Sequence, residues 1–174
     1  MTRYIQRLFV LAAGVLTPGI AGAHITIENP QAVAGSYYRA VFDVPHGCES
    51  SPTTTLRVVI PAGIVTAKPM PKPGWTIEIV REKLQQPVQI EGHDVTERVK
   101  EVAWGGGRLS SDEFDSFILM VRLVATPGRL PFPVIQSCEI GETRWVENPP
   151  EGKTSHDVRY PAPSVLLVPG GAPQ

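Results

Sequence analysis

Thr54-Thr55-Leu56-Arg57-Val58-Val59-Ile60 and, further on, Trp75-Thr76-Ile77-Glu78-Ile79-Val80 are the stretches that decide the fold class. Leu56, Val58 and Ile60 recur at every second position, as do Trp75, Ile77 and Ile79. In an extended chain that spacing puts each set on one face of a strand. Outward from these two, the same reading predicts strands over 24–28, 37–44, 88–90, 101–104, 114–124, 134–139, 143–146 and 164–168. Pro and Gly, 18 and 16 in the chain, fall between runs of β-branched and aromatic residues, and no amphipathic helix emerges. Many short strands with turn signals between them predict a sandwich or barrel. The run 114–124 is apolar on both faces and reads as a central buried strand with Met120 in the core. Residues 82–101 are dominated by charged and polar side chains, with a turn expected at Gly92-His93-Asp94. One domain over 24–168 and a frayed tail over 169–174 complete the expectation.

The first 23 residues read as a secretory signal peptide. Arg3 and Arg7 form a positive start, Leu8 to Leu16 are uninterruptedly apolar, and Thr17-Pro18-Gly19 breaks any helix before Ile20-Ala21-Gly22-Ala23. Small residues at 21 and 23 suit cleavage after Ala23. The apolar run is well short of the ~20 residues that cross a bilayer. The expected product is therefore periplasmic or secreted, with no membrane span in the mature chain.

Cleavage leaves 151 of the 174 residues, enough for one domain with a real core. Of 16 Lys and Arg, the leader removes two, so 14 remain against 17 Asp and Glu. The resulting charge near −3 offers no footprint for nucleic acid or anionic lipid. Cys48 and Cys138, the only cysteines, read first as a disulfide in an oxidising compartment, with thiolate metal ligation as the alternative.

Cleavage also makes a histidine the first residue. His24 then offers its α-amine and its ring Nδ1, which together can close a chelate ring on a metal. Their reference pKa values, about 7.7–8.0 and 6.5, let copper displace both protons near neutrality. Nitrogen and oxygen donors in a tetragonal arrangement suit Cu(II). Catalysis finds little support, because no Gly-x-Ser-x-Gly elbow, phosphate loop or His-Glu-x-x-His occurs. Asp112, Glu113 and Asp115 read as a solvated turn.

Around His24 a longer pattern forms. It runs through His24-Ile25-Thr26-Ile27-Glu28-Asn29-Pro30, Ala34-Gly35-Ser36-Tyr37, Val44-Pro45-His46-Gly47-Cys48 and Pro52-Thr53-Thr54-Thr55. Lys72-Pro73-Gly74-Trp75, Trp104-Gly105-Gly106-Gly107, Glu113-Phe114-Asp115-Ser116-Phe117, Arg144-Trp145-Val146-Glu147 and Pro161-Ala162-Pro163 continue it. Over the whole mature chain this resembles the YcnI-like family of exported bacterial copper-binding domains. The resemblance implies an immunoglobulin- or fibronectin-like β-sandwich. It also implies a mononuclear Cu(II) site, a monohistidine brace, built from the N-terminal His, a carboxylate and an adjacent Trp.

Carried over, the resemblance makes His24 the chelating residue and Glu49 the carboxylate. Glu28 is the second choice, four residues along one strand at about 3.3 Å per residue and so awkwardly far from a metal held at residue 24. Trp145, seven residues past Cys138, is the indole expected beside the metal. Trp104, before three glycines that allow close approach, comes second, and Trp75 is assigned to the core. His46, next to Gly47-Cys48, is either a second imidazole or an exposed turn residue. His93 and His156 sit in polar, turn-like segments and are expected to face solvent. Met70 and Met120 are soft enough for Cu(I) but form no cluster.

The function these residues imply is an exported copper chaperone or carrier, not an enzyme, passing its ion to another exported copper chaperone or a copper transporter. The alternatives are a copper-dependent oxidoreductase of histidine-brace type, which requires a second imidazole, and a structural sandwich without metal.

Overall fold

The structure, a computed structural model, describes residues 24–170. The expected leader, residues 1–23, and residues 171–174 of the expected tail lie outside the described residues. In chain order the strands are β1 (Thr26–Ile27), β2 (Gln31–Val33), β3 (Tyr37–Val44), β4 (Thr53–Val59), β5 (Ala67–Pro69) and β6 (Thr76–Ile90). After them come β7 (His93–Leu109), β8 (Asp115–Arg122), β9 (Gly128–Pro131), β10 (Val134–Cys138), β11 (Glu142–Trp145) and β12 (Ser164–Val168). Among the described residues one 3-10 turn, Ser155–Asp157, lies before β12.

One sheet orders β1-β3-β8-β5 and a second orders β11-β10-β4-β7-β6. Their inner faces share a core in which Phe42, Leu119 and Val121 meet Leu56, Val58 and Val102. Trp104 of β7 bridges the layers, its ring edge-on to Phe117 of β8 at 5.5 Å between centres. Strand β12 runs parallel to β2 and antiparallel to β9 in a third, smaller sheet, and adds Val165 and Leu167 to the same core. Burial of such side chains is the main stabilising term, about 1.5–3 kcal/mol for each large one. The architecture is an all-β sandwich. Among the described residues, no helix is long and apolar enough to cross a membrane.

The segment 82–101, weakest in the sequence, is the middle of a long hairpin. The expected strands 75–80 and 88–90 merge into β6, and 101–104 is the inner part of β7, paired from Thr76↔Gly105 to Ile90↔His93. Its turn is Glu91-Gly92 and not Gly92-His93-Asp94, with φ of 52° and 81° that fit a two-residue hairpin turn. Away from the core both faces of this hairpin are solvated, so backbone pairing rather than apolar periodicity holds it. Ile79 is accordingly 39% exposed. The tip returns to β3, where the Tyr37 hydroxyl donates to the Glu91 carboxylate at 2.8 Å.

Strand β8 also corrects an expectation. Phe117, Leu119 and Val121 point inward, but Met120 is 42% exposed and is not a core residue. Hydrogen bonding to β3 on one edge and β5 on the other makes β8 internal to its sheet. Only one of its faces meets the opposite layer, however. The short strands β2, β5 and β9 were not expected at all.

Tyr38 of β3 packs under this layer and donates its hydroxyl to the Asn29 carbonyl. Burial, and then the Glu28 carboxylate, push its phenol up to about 12 from an ordinary 10.0. A raised folded-state value means its contribution to stability is complete below pH 10 and is lost as pH rises through about 12. An absorbance titration should show a phenol titrating near 12, and Tyr38→Phe should remove it. Persistence of that late phenol in the variant would show the assignment to be wrong.

Candidate metal centre

His24 precedes β1, and the alternation that follows fixes it. Ile25 and Ile27 are 2% and 7% exposed and anchor the segment in the core, while Thr26 pairs with Asp43 of β3. The imidazole of His24 is left partly exposed at one end of the sandwich. Its ring meets Trp145 edge-on at 5.8 Å between centres.

Trp145 ends β11, opposite Val134 of β10, and is 4% exposed. Its indole N–H donates to the Gln136 Oε1 at 3.0 Å. Gln136 is fully buried, and its amide nitrogen donates to the His46 carbonyl at 2.7 Å and to Thr53 Oγ1 at 2.8 Å. Both amide hydrogens and the amide oxygen are thus used, as a buried side-chain amide requires. Gln136 fixes the indole that faces His24 and the loop that carries His46. Sequence reasoning did not single it out, although a Gln two residues after Val134, on the inward face of β10, was the available signal.

The Cys48–Cys138 disulfide, 90 residues apart, closes the same end, as expected from two cysteines. Because both sulfurs are engaged, thiolate metal ligation is set aside. Cys48 and Ser51 exchange backbone hydrogen bonds around Glu49-Ser50, and Glu49 adopts a φ of 56°. Gly47 is required here, since a Cβ would lie 1.9 Å from the Ser51 carbonyl oxygen. Glu49 is exposed at the tip of this turn, and among the described residues no hydrogen bond or ion pair joins it to His24. His46, at the start of the loop, holds its ring Nδ1 against the Gly47 carbonyl and meets Trp145 at 6.5 Å between centres.

His156 is exposed, but it does not stand apart. Its ring centre is 6.2 Å from that of His24, with the planes inclined at 36°. Both line a groove of about 390 Å³, walled by Pro30, Arg129 and Pro161–Ser164. Burial first, then the His156 and His46 imidazoles, lower the His24 ring below its ordinary basicity. Partial dehydration and neighbouring cations both disfavour a charged ring and so favour the neutral, ligating form.

Elsewhere the expected residues are separated from this cluster. Trp104 is fully buried and donates its indole N–H to the Met70 carbonyl at 3.1 Å. The close approach allowed by its following glycines is used by Trp75, whose ring would be 2.2 Å from a Cβ at Gly107. Asp115 pairs with Lys72 at 2.6 Å. Glu28, at the far end of β1, acts electrostatically on Tyr38. His93 begins β7 at the hairpin turn.

Residues 24–167 match the family described as "Domain of unknown function (DUF1775)". The chain belongs to that family. Among solved structures, this DUF1775 chain is similar to an uncharacterized protein from Nocardia farcinica described as having an immunoglobulin-like fold. The identity is 24%, over 83% of this chain and 97% of that one, with a TM-score of 0.61. That likeness gives the fold: this DUF1775 domain is an immunoglobulin-like β-sandwich. No curated protein matches the chain.

Among the described residues, no three His, Cys, Asp or Glu side chains gather as a metal cluster. A chelate from the amine and ring of one histidine, the donor pair expected after cleavage, would need few other side chains.

Proposed function

We propose that this DUF1775 domain is a YcnI-like, exported copper-binding protein that holds one Cu(II) on a brace formed by His24 after cleavage. The observation that carries the reading is the placement of the His24 imidazole against a buried, hydrogen-bonded Trp145. Trp145 acts as a wall and not as a ligand, since an indole N–H donates and does not coordinate. It limits access of water and tunes the ion. The leader pattern and the disulfide both support export to an oxidising compartment. Few protein ligands leave coordination positions open, which suits a carrier that hands its ion to another exported chaperone or to a copper transporter.

The test is a Cu(II) titration of the protein beginning at His24. One equivalent should bind and quench indole fluorescence, and His24→Ala should abolish that binding. A wild-type protein that binds no copper, or a variant that binds it equally well, would remove the proposal.

Glu49 completes the reading as the anionic oxygen ligand, reached from the turn next to His46. Glu49→Gln, nearly the same shape without the charge, should weaken Cu(II) binding about tenfold. Glu28→Gln should change it little. If the effects are reversed, the carboxylate belongs to β1 and not to the turn.

A further inference from the structure

We infer that His156 supplies a second imidazole to the ion held by His24, an assignment that rests on the copper reading above. A metal–imidazole bond spans about 2.0 Å. Two ring centres 6.2 Å apart match the span of one ion held in line between a nitrogen of each ring, with about 2.0 Å for each bond and just over ~1 Å from each nitrogen to its ring centre. The two histidines come from opposite ends of the domain sequence and line the same groove.

The loop that carries His156 is built to present it. Its base is closed where Glu147 pairs with Pro161, with Glu147 N–H donating to the Tyr160 carbonyl at 3.0 Å and Ala162 N–H to the Glu147 carbonyl at 2.8 Å. The Glu147 carboxylate also accepts from Tyr160 N–H at 3.0 Å. Within the loop, Thr154 caps the 3-10 turn. Its N–H and hydroxyl donate to Asp157 Oδ2 at 2.7 and 2.9 Å, and its Oγ1 accepts from His156 N–H at 3.3 Å. The turn buries no residue. Its hydrogen bonds thus fix a surface imidazole at the groove without committing it to the core. His46 is the competing imidazole, but its ring meets Trp145 and its Nδ1 faces the Gly47 carbonyl.

With the amine and ring of His24, His156 would make three nitrogen donors, and imidazole suits copper.

The experiment uses protein beginning at His24, loaded with one equivalent of Cu(II), and counts coordinated imidazoles by pulsed electron paramagnetic resonance. Wild type should show two and His156→Ala one, with at least a tenfold weaker affinity. His46→Ala and His93→Ala should each retain two. Circular dichroism and thermal unfolding should be unchanged in His156→Ala, because the side chain is exposed. One imidazole in wild type, unchanged binding in His156→Ala, or loss of the second imidazole in His46→Ala would each overturn the assignment while leaving the copper proposal standing. A wild-type protein that binds no copper would overturn both.

Discussion

Replacing both Cys48 and Cys138 with Ser is expected to lower unfolding stability by about 4 kcal/mol. The bond joins residues 90 apart, so cutting it releases a long loop in the unfolded chain. In the chain-entropy account, the freedom regained grows with the logarithm of that loop. For a domain of this size, the melting temperature should fall by roughly 8–16 °C. Urea denaturation of the oxidised protein and the double-serine variant measures the difference directly. A change below about 1 kcal/mol would mean that the unfolded chain is already constrained, or that the native bond stores compensating strain. The damage should also reach the candidate site. Cys48 lies two residues after His46, whose carbonyl binds Gln136, and Gln136 in turn holds the Trp145 indole. Freed from β10, that loop should loosen the wall beside His24 before the sandwich itself opens.

The dependence of the site on pairings between distant segments explains what the sequence could and could not reveal. Strand β3 is expected and found over the same residues, 37–44, because alternating burial leaves its mark in side-chain chemistry. The hairpin β6–β7 leaves no such mark over 82–98. Its outer half is solvated on both faces, so hydrophobic alternation has nothing to encode there. Met120 misled for the opposite reason: an apolar run records hydrophobicity, but it does not record which face meets another sheet. The pairing of Cys48 with Cys138 was legible because there were only two cysteines to join. Trp145 could be approached through its closeness to Cys138 in sequence. His156 could not, because its position follows from Glu147 pairing with Tyr160 and Ala162, hydrogen bonds that a polar loop sequence does not announce. Gln136 lay between these cases. A polar residue on an inward strand position signals a buried network, but its three partners come from three separate segments.

The chemical prediction with the largest expected effect concerns the amine that cleavage would create. Two proteins of the same fold are compared, one beginning at His24 and one with an N-acetylated Gly-Ser placed before it. The extension turns the α-amine of His24 into an amide nitrogen, which is planar and weakly basic. Both proteins keep the His24 imidazole, beside Trp145 and 6.2 Å from His156. A site using rings alone would lose little. A chelate using amine and ring together should lose at least tenfold in Cu(II) affinity, about 1.4 kcal/mol. Acetylation is needed because a free Gly-Ser-His terminus would itself chelate Cu(II), and the copper spectrum is compared along with the affinity. In the extended protein the spectrum should change, because no free amine is left to close a ring with His24 Nδ1. The shorter protein should also release protons on binding, since its amine, with a reference pKa of about 7.7–8.0, is mostly protonated at neutral pH. Equal affinity and identical spectra in the two proteins would reduce His24 to a surface imidazole. The cluster around Trp145 would then be a packing feature of the sandwich end and not a copper site.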